Sequence, residues 1–379
     1  MPAIYLDFNA ITPIHPLVQK NIQSFLDCVY GNPSSNHWAS KDAKSYLSRA
    51  RRQIAALIGA EPDEIIFTSG GTESNNLALK GRFFSLYNHN PNQHIITQVT
   101  EHPSILHPLA FLERLGARVT YLPVDSTGRV NPEDIKNAIT LKTTLISIMH
   151  ANNETGTLQP IDEIGLIAKQ NNICFHTDAA QSIGKVPINV NKMNVDLLSI
   201  AGHKVYAPKG IGALYVRRGI ALEPINHGAG HEQGIRAGTE SILLATALGS
   251  ACELAEKERY NHNIRSLRDY FWQQLNAVFG DNVVLNGHSI ERLPNTLNVS
   301  FINCIGANLL NELVDVAAST GSACHEGKTA ISPVLAAMGV DSNIGMGAIR
   351  FSLGHGIEKT DIDQVINQLR YVISNSHLA

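Results

Sequence analysis

Only five cysteines occur in 379 residues, at Cys28, Cys174, Cys252, Cys304 and Cys324, and no two form a CxxC pair. That excludes a disulfide framework, a zinc ribbon and the usual iron–sulfur ligand runs, and it fits a reducing, cytoplasmic setting. An excess of one charge is missing too. The 30 Lys and Arg against 33 Asp and Glu leave a net charge of −3, which gives no electrostatic footprint for nucleic acid. No long apolar run is present. The stretch 241–255 is broken by Gly249, Ser250 and Glu253 and is too short and polar to span a bilayer. The start, MPAIYLDFNA, carries Asp7 and lacks the basic-then-apolar order of a secretory signal. Internal repeats and low-complexity tracts are absent. The 16 His are scattered. His227 and His231 are four apart, but Gly228 and Gly230 argue for a loop rather than a helical zinc pair, so no metal is expected.

What is present is a large apolar fraction, 44%, with 29 Gly and 16 Pro. It supports a folded chain of two domains, or one large α/β unit with a satellite. Short apolar runs at 64–68, 94–97, 118–122, 144–149, 173–177, 196–200 and 212–216 read as buried strands. Helical patterns alternate with most of them, which predicts a mostly parallel sheet covered on both faces. Residues 235–259 read as a long helical region. Beyond a boundary near residue 256 the pattern becomes α+β. Helices are predicted over 260–277, 306–316 and 360–374, and strands over 283–285, 296–301 and 350–353.

Three motifs carry chemistry. FTSGGTESN at 67–75 follows a strand, and a Gly-rich turn opening a helix suits a phosphate, although Gly-Gly also marks ordinary turns. FHTDAAQ at 175–181 puts Asp178 at the carboxyl end of a strand, where it is either a crevice carboxylate or a helix N-cap. LSIAGHKVYAPKG at 198–210 puts Lys204 in a turn of small residues, either as a desolvated amine able to form a Schiff base or as a surface lysine. A phosphate cradle, a carboxylate for a pyridine nitrogen and a lysine for an aldehyde, in that order, are what pyridoxal phosphate needs. His102, in TEHPS at 100–104, is placed to stack on its ring.

These segments resemble the NifS/IscS-like cysteine desulfurases of the class V aminotransferase fold. The likeness runs through YLDFNA at 5–10, YGNPSS at 30–35, the motifs above, HANNETG at 150–156, GHEQGIRAGT at 230–239, PNTLNVS at 294–300, GSAC at 321–324 and IRFSL at 349–353. It implies a fold type I, pyridoxal-phosphate-dependent transferase of the α/β class. A large domain would cover 16–256, and 1–15 with 257–379 would form a smaller one carrying the cysteine loop. Lys204 would bind the cofactor covalently, and His102 would stack over it. Asp178 would face the pyridine nitrogen and Gln181 the ring oxygen. Gly71, Thr72 and His203 would hold the phosphate. Thr239 would reach the phosphate of a neighbouring subunit, making a homodimer. Asn153 and Arg350 would bind the substrate carboxylate, and Cys324 would take the sulfur as a persulfide. L-cysteine would become L-alanine, with sulfur passed to an iron–sulfur scaffold or a thiolation enzyme.

Departures from the family pattern bear on substrate and cofactor. Ala201 stands where a serine is usual, and Gly71 where an alanine is usual. The segment from Cys324 and His325 to Ser332 and Leu335 is similar to the selenocysteine lyase branch, which makes L-selenocysteine the alternative substrate. Cys174 and Cys252 sit on apolar patterns and read as inert core thiols, and Cys28 and Cys304, without motif context, read as structural. Arg49, Arg51 and Arg52 read as a solvated helix face.

Overall fold

A computed structural model describes residues 3–26, 29–257, 262–320 and 331–376. After the short strand β1 (Ile4–Tyr5), seven strands build the main sheet. They are β2 (Ile65–Thr68), β3 (His94–Gln98), β4 (Arg118–Leu122), β5 (Thr143–Ser147), β6 (Cys174–Asp178), β7 (Leu197–Ala201) and β8 (Gly212–Val216). Their order across the sheet is β2-β8-β7-β6-β5-β3-β4. From β7 to β4 every pairing is parallel, and β8 alone runs antiparallel to both its neighbours.

Strand geometry sends successive side chains to opposite faces, and both faces here are covered, so β2, β3, β6, β7 and β8 are buried at every position. Phe67, Ile96, Ile146, Phe175, Leu198 and Tyr215 pack on one face with helices Ser40–Ile58, Ile161–Gln170 and Ile242–Lys257. Their immediate neighbours Ile66, Ile95, Leu145, Cys174, Leu197 and Leu214 pack on the other face, with Leu77, Phe83 and Leu109.

A second core gathers both ends of the chain. Strands β9 (Val283–Asn286), β10 (Thr296–Phe301) and β12 (Ala348–Ser352) form an antiparallel sheet, and β11 (Val316–Ala317) pairs in parallel with β1. Helices His262–Phe279 and Lys359–Ser376 cover this sheet, and Ile4 and Leu6 join its core. Phe271 and Phe351 are fully buried there with ring centroids 4.9 Å apart. Phe271→Ala is expected to cost about 3–5 kcal/mol of stability, read as a lowered midpoint in urea denaturation.

Three helical expectations need correction. The helix after β2 is interrupted. It runs Gly71–Asn76, passes through a π turn at Leu77–Gly81, and resumes as Arg82–Tyr87. The region predicted helical from residue 235 becomes helix only at Ile242. The helix predicted over 306–316 stops at Glu312, because Asp315 and Ala317 turn their carbonyls to the Ile4 and Leu6 N–H groups. Among the described residues, no helix is long and apolar enough to cross a membrane.

Candidate active site

Parallel strands deliver their carboxyl ends to one edge of the sheet, and the crevice outside that edge is where such folds bind ligands. Here it holds a cleft of about 530 Å³, lined in part by Gly71, Thr72, His102, Asp178, Lys204 and Arg350. Asn153, Gln181 and His203 line it as well. Nine of the site residues expected from sequence therefore meet in one place. Thr239 is exposed and lies outside this lining. Cys324 lies outside the described residues.

The phosphate end is shaped by close approach. β2 ends at Thr68, and the chain turns through Gly70 at φ +153°, a conformation available without strain only to glycine. A Cβ added at Gly71 would stand 3.2 Å from the Ala201 Cβ. The two positions that depart from the family pattern thus face each other, and any added bulk would fill the cradle. The first N–H groups of the helical run have no acceptor within the helix, so they are free for an anion.

Asp178, at the end of β6, is buried and fixed by two donors. Asn75 Nδ2 reaches one carboxylate oxygen at 2.7 Å, and the Ala180 N–H reaches the other at 2.9 Å. His102 caps the helix Pro103–Glu113, its Nδ1 accepting from the Ser104 N–H. Ser104 Oγ takes a hydrogen bond from Asn75 and stands 2.8 Å from the same Nδ1. With Nδ1 an acceptor, the proton of the neutral ring sits on Nε2. Burial, only partly opposed by Asp178, lowers the His102 pKa, which favours that neutral form.

Lys204 ends the one-turn 3-10 helix Gly202–Lys204 after β7. Its Nζ donates to the Asn9 carbonyl at 2.6 Å and the Ala10 carbonyl at 2.8 Å. Burial, then Arg350, pull its pKa down to about 8, against the opposing pull of Asp178 and Asp7. Burial and the adjacent Lys204 bring His203 down to about 4. Gln181 Nε2 donates to the same Asn9 carbonyl, and its Oε1 accepts from Lys185. Burial lowers the Lys185 amine to about 7, helped by Lys204 and Arg350. Arg350, on β12, reaches back from the second core. It donates to the Asn153 carbonyl at 2.9 Å and pairs with Asp7 at 2.7 Å. Its Nε has no partner among the described residues.

This donor set fits pyridoxal phosphate. An anion cradle, a fixed carboxylate, a neutral imidazole and a low-pKa amine share one cleft. The orphaned Asn75 Oδ1 and Arg350 Nε mark polar capacity left unused by the protein itself.

Sequence reasoning missed Asn9 and Arg51. Asn9 connects Gln181, Lys185 and Lys204, and its Nδ2 also donates to Thr296. No local signal links residue 9 to residue 204; only the resemblance of YLDFNA touched it. Arg51 is not on a solvated face. It donates to the Ile65 carbonyl, pairs with buried Glu232 and stacks over Phe67, whereas Arg49 and Arg52 are exposed as expected. A helical stripe of arginines does not reveal which one meets a loop 181 positions away. Cys174 and Cys252 are buried, and burial pushes both thiols up to about 12. No group of three or more possible metal ligands occurs among the described residues.

The aminotransferase class-V profile matches residues 4–365. A cysteine desulfurase IscS from Dictyoglomus turgidum is 46% identical over 374 residues, covering 98% of this chain and 94% of that one. A solved NifS-like protein superposes with a TM-score of 0.91 at 34% identity, over 98% of this chain and 99% of its own. SspA, solved in complex with cysteine, superposes at 0.83 with 37% identity, over 92% and 98%. With the cleft and its residues in place, these matches settle the kinship: the chain belongs to the class-V aminotransferase family, among its IscS/NifS cysteine desulfurases.

Proposed function

We propose that this protein is a pyridoxal-phosphate-dependent L-cysteine desulfurase, releasing L-alanine and holding the sulfur as a persulfide on Cys324. The observation that carries the reading is the convergence of Lys204, Asp178 and His102 on one cleft with Arg350. The bound cofactor supplies an electron sink for the substrate's α-carbon. Gly71, Thr72 and His203 hold its phosphate, Asp178 its pyridine nitrogen and Gln181 its ring oxygen. Lys204 Nζ would hold it covalently and would be the amine that moves a proton at the substrate. His102 would stack on the ring and keep water from one face. Arg350 and Asn153 orient the substrate carboxylate, for which a guanidinium offers a two-pronged match.

The relatives' names favour cysteine over selenocysteine as substrate. Alanine release from the two amino acids tests this. Comparable or greater turnover of L-cysteine is expected, and turnover confined to L-selenocysteine would overturn it.

Asp178→Asn isolates the charge at the ring. Asn75 Oδ1 lacks a partner, so its amide can flip to accept from the introduced amide, at the cost of its own hydrogen bond to Ser104 Oγ. Losing a charge-assisted hydrogen bond of roughly 1.5–3 kcal/mol corresponds to about a ten- to hundredfold lower kcat. The Asp178 charge also raises the Lys204 pKa, so its removal shifts the amine's titration to lower pH. An unchanged rate with an unchanged titration would refute the assignment.

Division into 16–256 and 1–15 with 257–379 is part of the same proposal, supported by the two separate cores. A homodimer is supported by the exposed Leu26, Tyr30 and Trp38, which a monomer leaves in water. It would also give the exposed Thr239 a neighbouring cofactor phosphate to meet. The acceptor is proposed to be an iron–sulfur scaffold or a thiolation protein. The free thiols of Cys174, Cys252 and Cys304 support a cytoplasmic, reducing location.

A further inference from the structure

Two carboxylate clamps, Glu232 on the Phe67 N–H and the Arg236–Glu73 ion pair, tie the loop around residues 231–239 to the strand–turn–helix unit that shapes the phosphate end of the cleft. Glu232 reaches back to the strand. Its carboxylate accepts from the Phe67 N–H at 2.7 Å and from Arg51. Glu73 reaches the other way. It stands in the first turn of Gly71–Asn76 and lines the cleft beside Gly71 and Thr72. Arg236 donates to it through Nε at 2.8 Å and Nη2 at 3.3 Å. The Ser69 N–H donates at 2.7 Å and Asn226 Nδ2 at 3.1 Å. At the first clamp and just after it, Glu232, Gln233 and Gly234 are all left-handed, at φ +46°, +59° and +82°. For the two non-glycine residues that conformation costs on the order of 1–3 kcal/mol each and persists only where the surroundings hold it.

Glu73 poses a chemical problem. Burial raises its pKa, but Arg236 and Ser69 more than offset this and hold the carboxyl below its usual value. It is therefore an anion at the end of the cleft that must take a second anion. A like charge there opposes binding of a phosphate, and its own protonation cannot relieve the conflict at neutral pH. The Arg236 guanidinium, only 23% exposed against 12% for Glu73, is the cation in direct contact with that carboxylate.

We propose that Arg236 is a positioning residue for cofactor selection: by pairing with Glu73 it cancels the carboxylate at the phosphate end and leaves the 69–72 turn competent for a phosphate dianion. Glu73 in turn fixes that turn through the Ser69 N–H and anchors the loop that carries Thr239. This rests on the pyridoxal phosphate reading of the cleft.

The test titrates cofactor-stripped protein with pyridoxal phosphate and, separately, with pyridoxal, which has the ring and aldehyde without the phosphate. Wild type, Arg236→Met, Glu73→Gln and the double variant are compared by the absorbance of bound cofactor. Arg236→Met leaves a half-buried carboxylate unpaired, so it is expected to lose about tenfold or more in affinity for pyridoxal phosphate, with pyridoxal unaffected. Glu73→Gln should keep the wild-type preference for the phosphorylated form, and the double variant should regain it. Equal losses for both ligands in Arg236→Met would show a merely structural residue and overturn the proposal. A double variant as weak as Arg236→Met would show that Arg236 meets the phosphate itself, which also overturns it. Wild-type protein with no preference for the phosphorylated ligand would instead defeat the cofactor reading, whatever the pair does.

Discussion

Lys204→Ala is expected to abolish cysteine turnover and the absorbance of the covalently held cofactor, while the protein stays folded. The side chain ends a one-turn helix and, among the described residues, its ammonium donates to the carbonyls of Asn9 and Ala10. Removing it costs those two contacts and, among the described residues, no ion pair. Loss of a positioned acid–base group alone lowers the rate by roughly 10²–10⁴-fold, and loss of the covalent tether adds to that. The pH dependence follows from the same amine. Its pKa of about 8 means that the free base grows from a minor form at pH 7 to the major form above pH 8. Covalent uptake of pyridoxal phosphate by the stripped protein should therefore rise through pH 8, not through the usual lysine range above 10. Uptake still climbing near pH 10 would show an unperturbed lysine, and full activity in Lys204→Ala would dismiss the scheme.

Much of the sheet was legible because strands buried on both faces read as short, mainly apolar runs. The runs at 65–68, 94–98 and 212–216 are buried at every position, and no surface alternation disguises them. Their pairing was not legible. Nothing in GALYV distinguishes the antiparallel β8 from its parallel neighbours, since direction is set by the connection. The chain returns from β7 through Gly202–Lys204 and a short loop with no crossover helix. The overrun helix at 306–316 failed for a different reason. Its last residues satisfy a helical pattern locally, but Val316 instead pairs with Ile4, more than 300 residues away. Long-range pairing overrides local propensity.

The site followed the same division. Gly71, Asp178 and Lys204 each stand at the end of a strand or three residues beyond it, so a local motif reports both the residue and its place at the sheet's edge. Asn9, Glu73 and Arg236 act through partners distant in sequence. A carboxylate in a helix's first turn reads as a favourable end charge whether or not an arginine 163 positions later closes on it. Only the folded arrangement shows that this acid also lines the cleft and needs a counter-charge.

Cys324→Ala should remove L-cysteine turnover while leaving cofactor binding intact, and among the described residues the other thiols, Cys174, Cys252 and Cys304, offer no substitute; Cys28 lies outside the described residues. Cys174 and Cys252 are buried with pKa values near 12, so their thiolates are vanishingly rare at neutral pH. Cys304 packs against the second core, and burial raises its thiol as well. None of these three lines the cleft. The thiolate, not the thiol, is the nucleophile toward sulfur, so a carrier must be found elsewhere in the chain. Loss of a nucleophile that works as a unit with its general base lowers turnover by roughly 10³-fold or more. Cofactor absorbance should remain, because Lys204, Asp178 and the phosphate end are untouched. Cys28→Ala is the control, with unchanged turnover expected. A persulfide trapped on Cys324 after a single turnover would complete the assignment. Sustained sulfide release by Cys324→Ala at the wild-type rate would mean that the sulfur leaves directly from the substrate, and the protein would then be a lyase rather than a transferase.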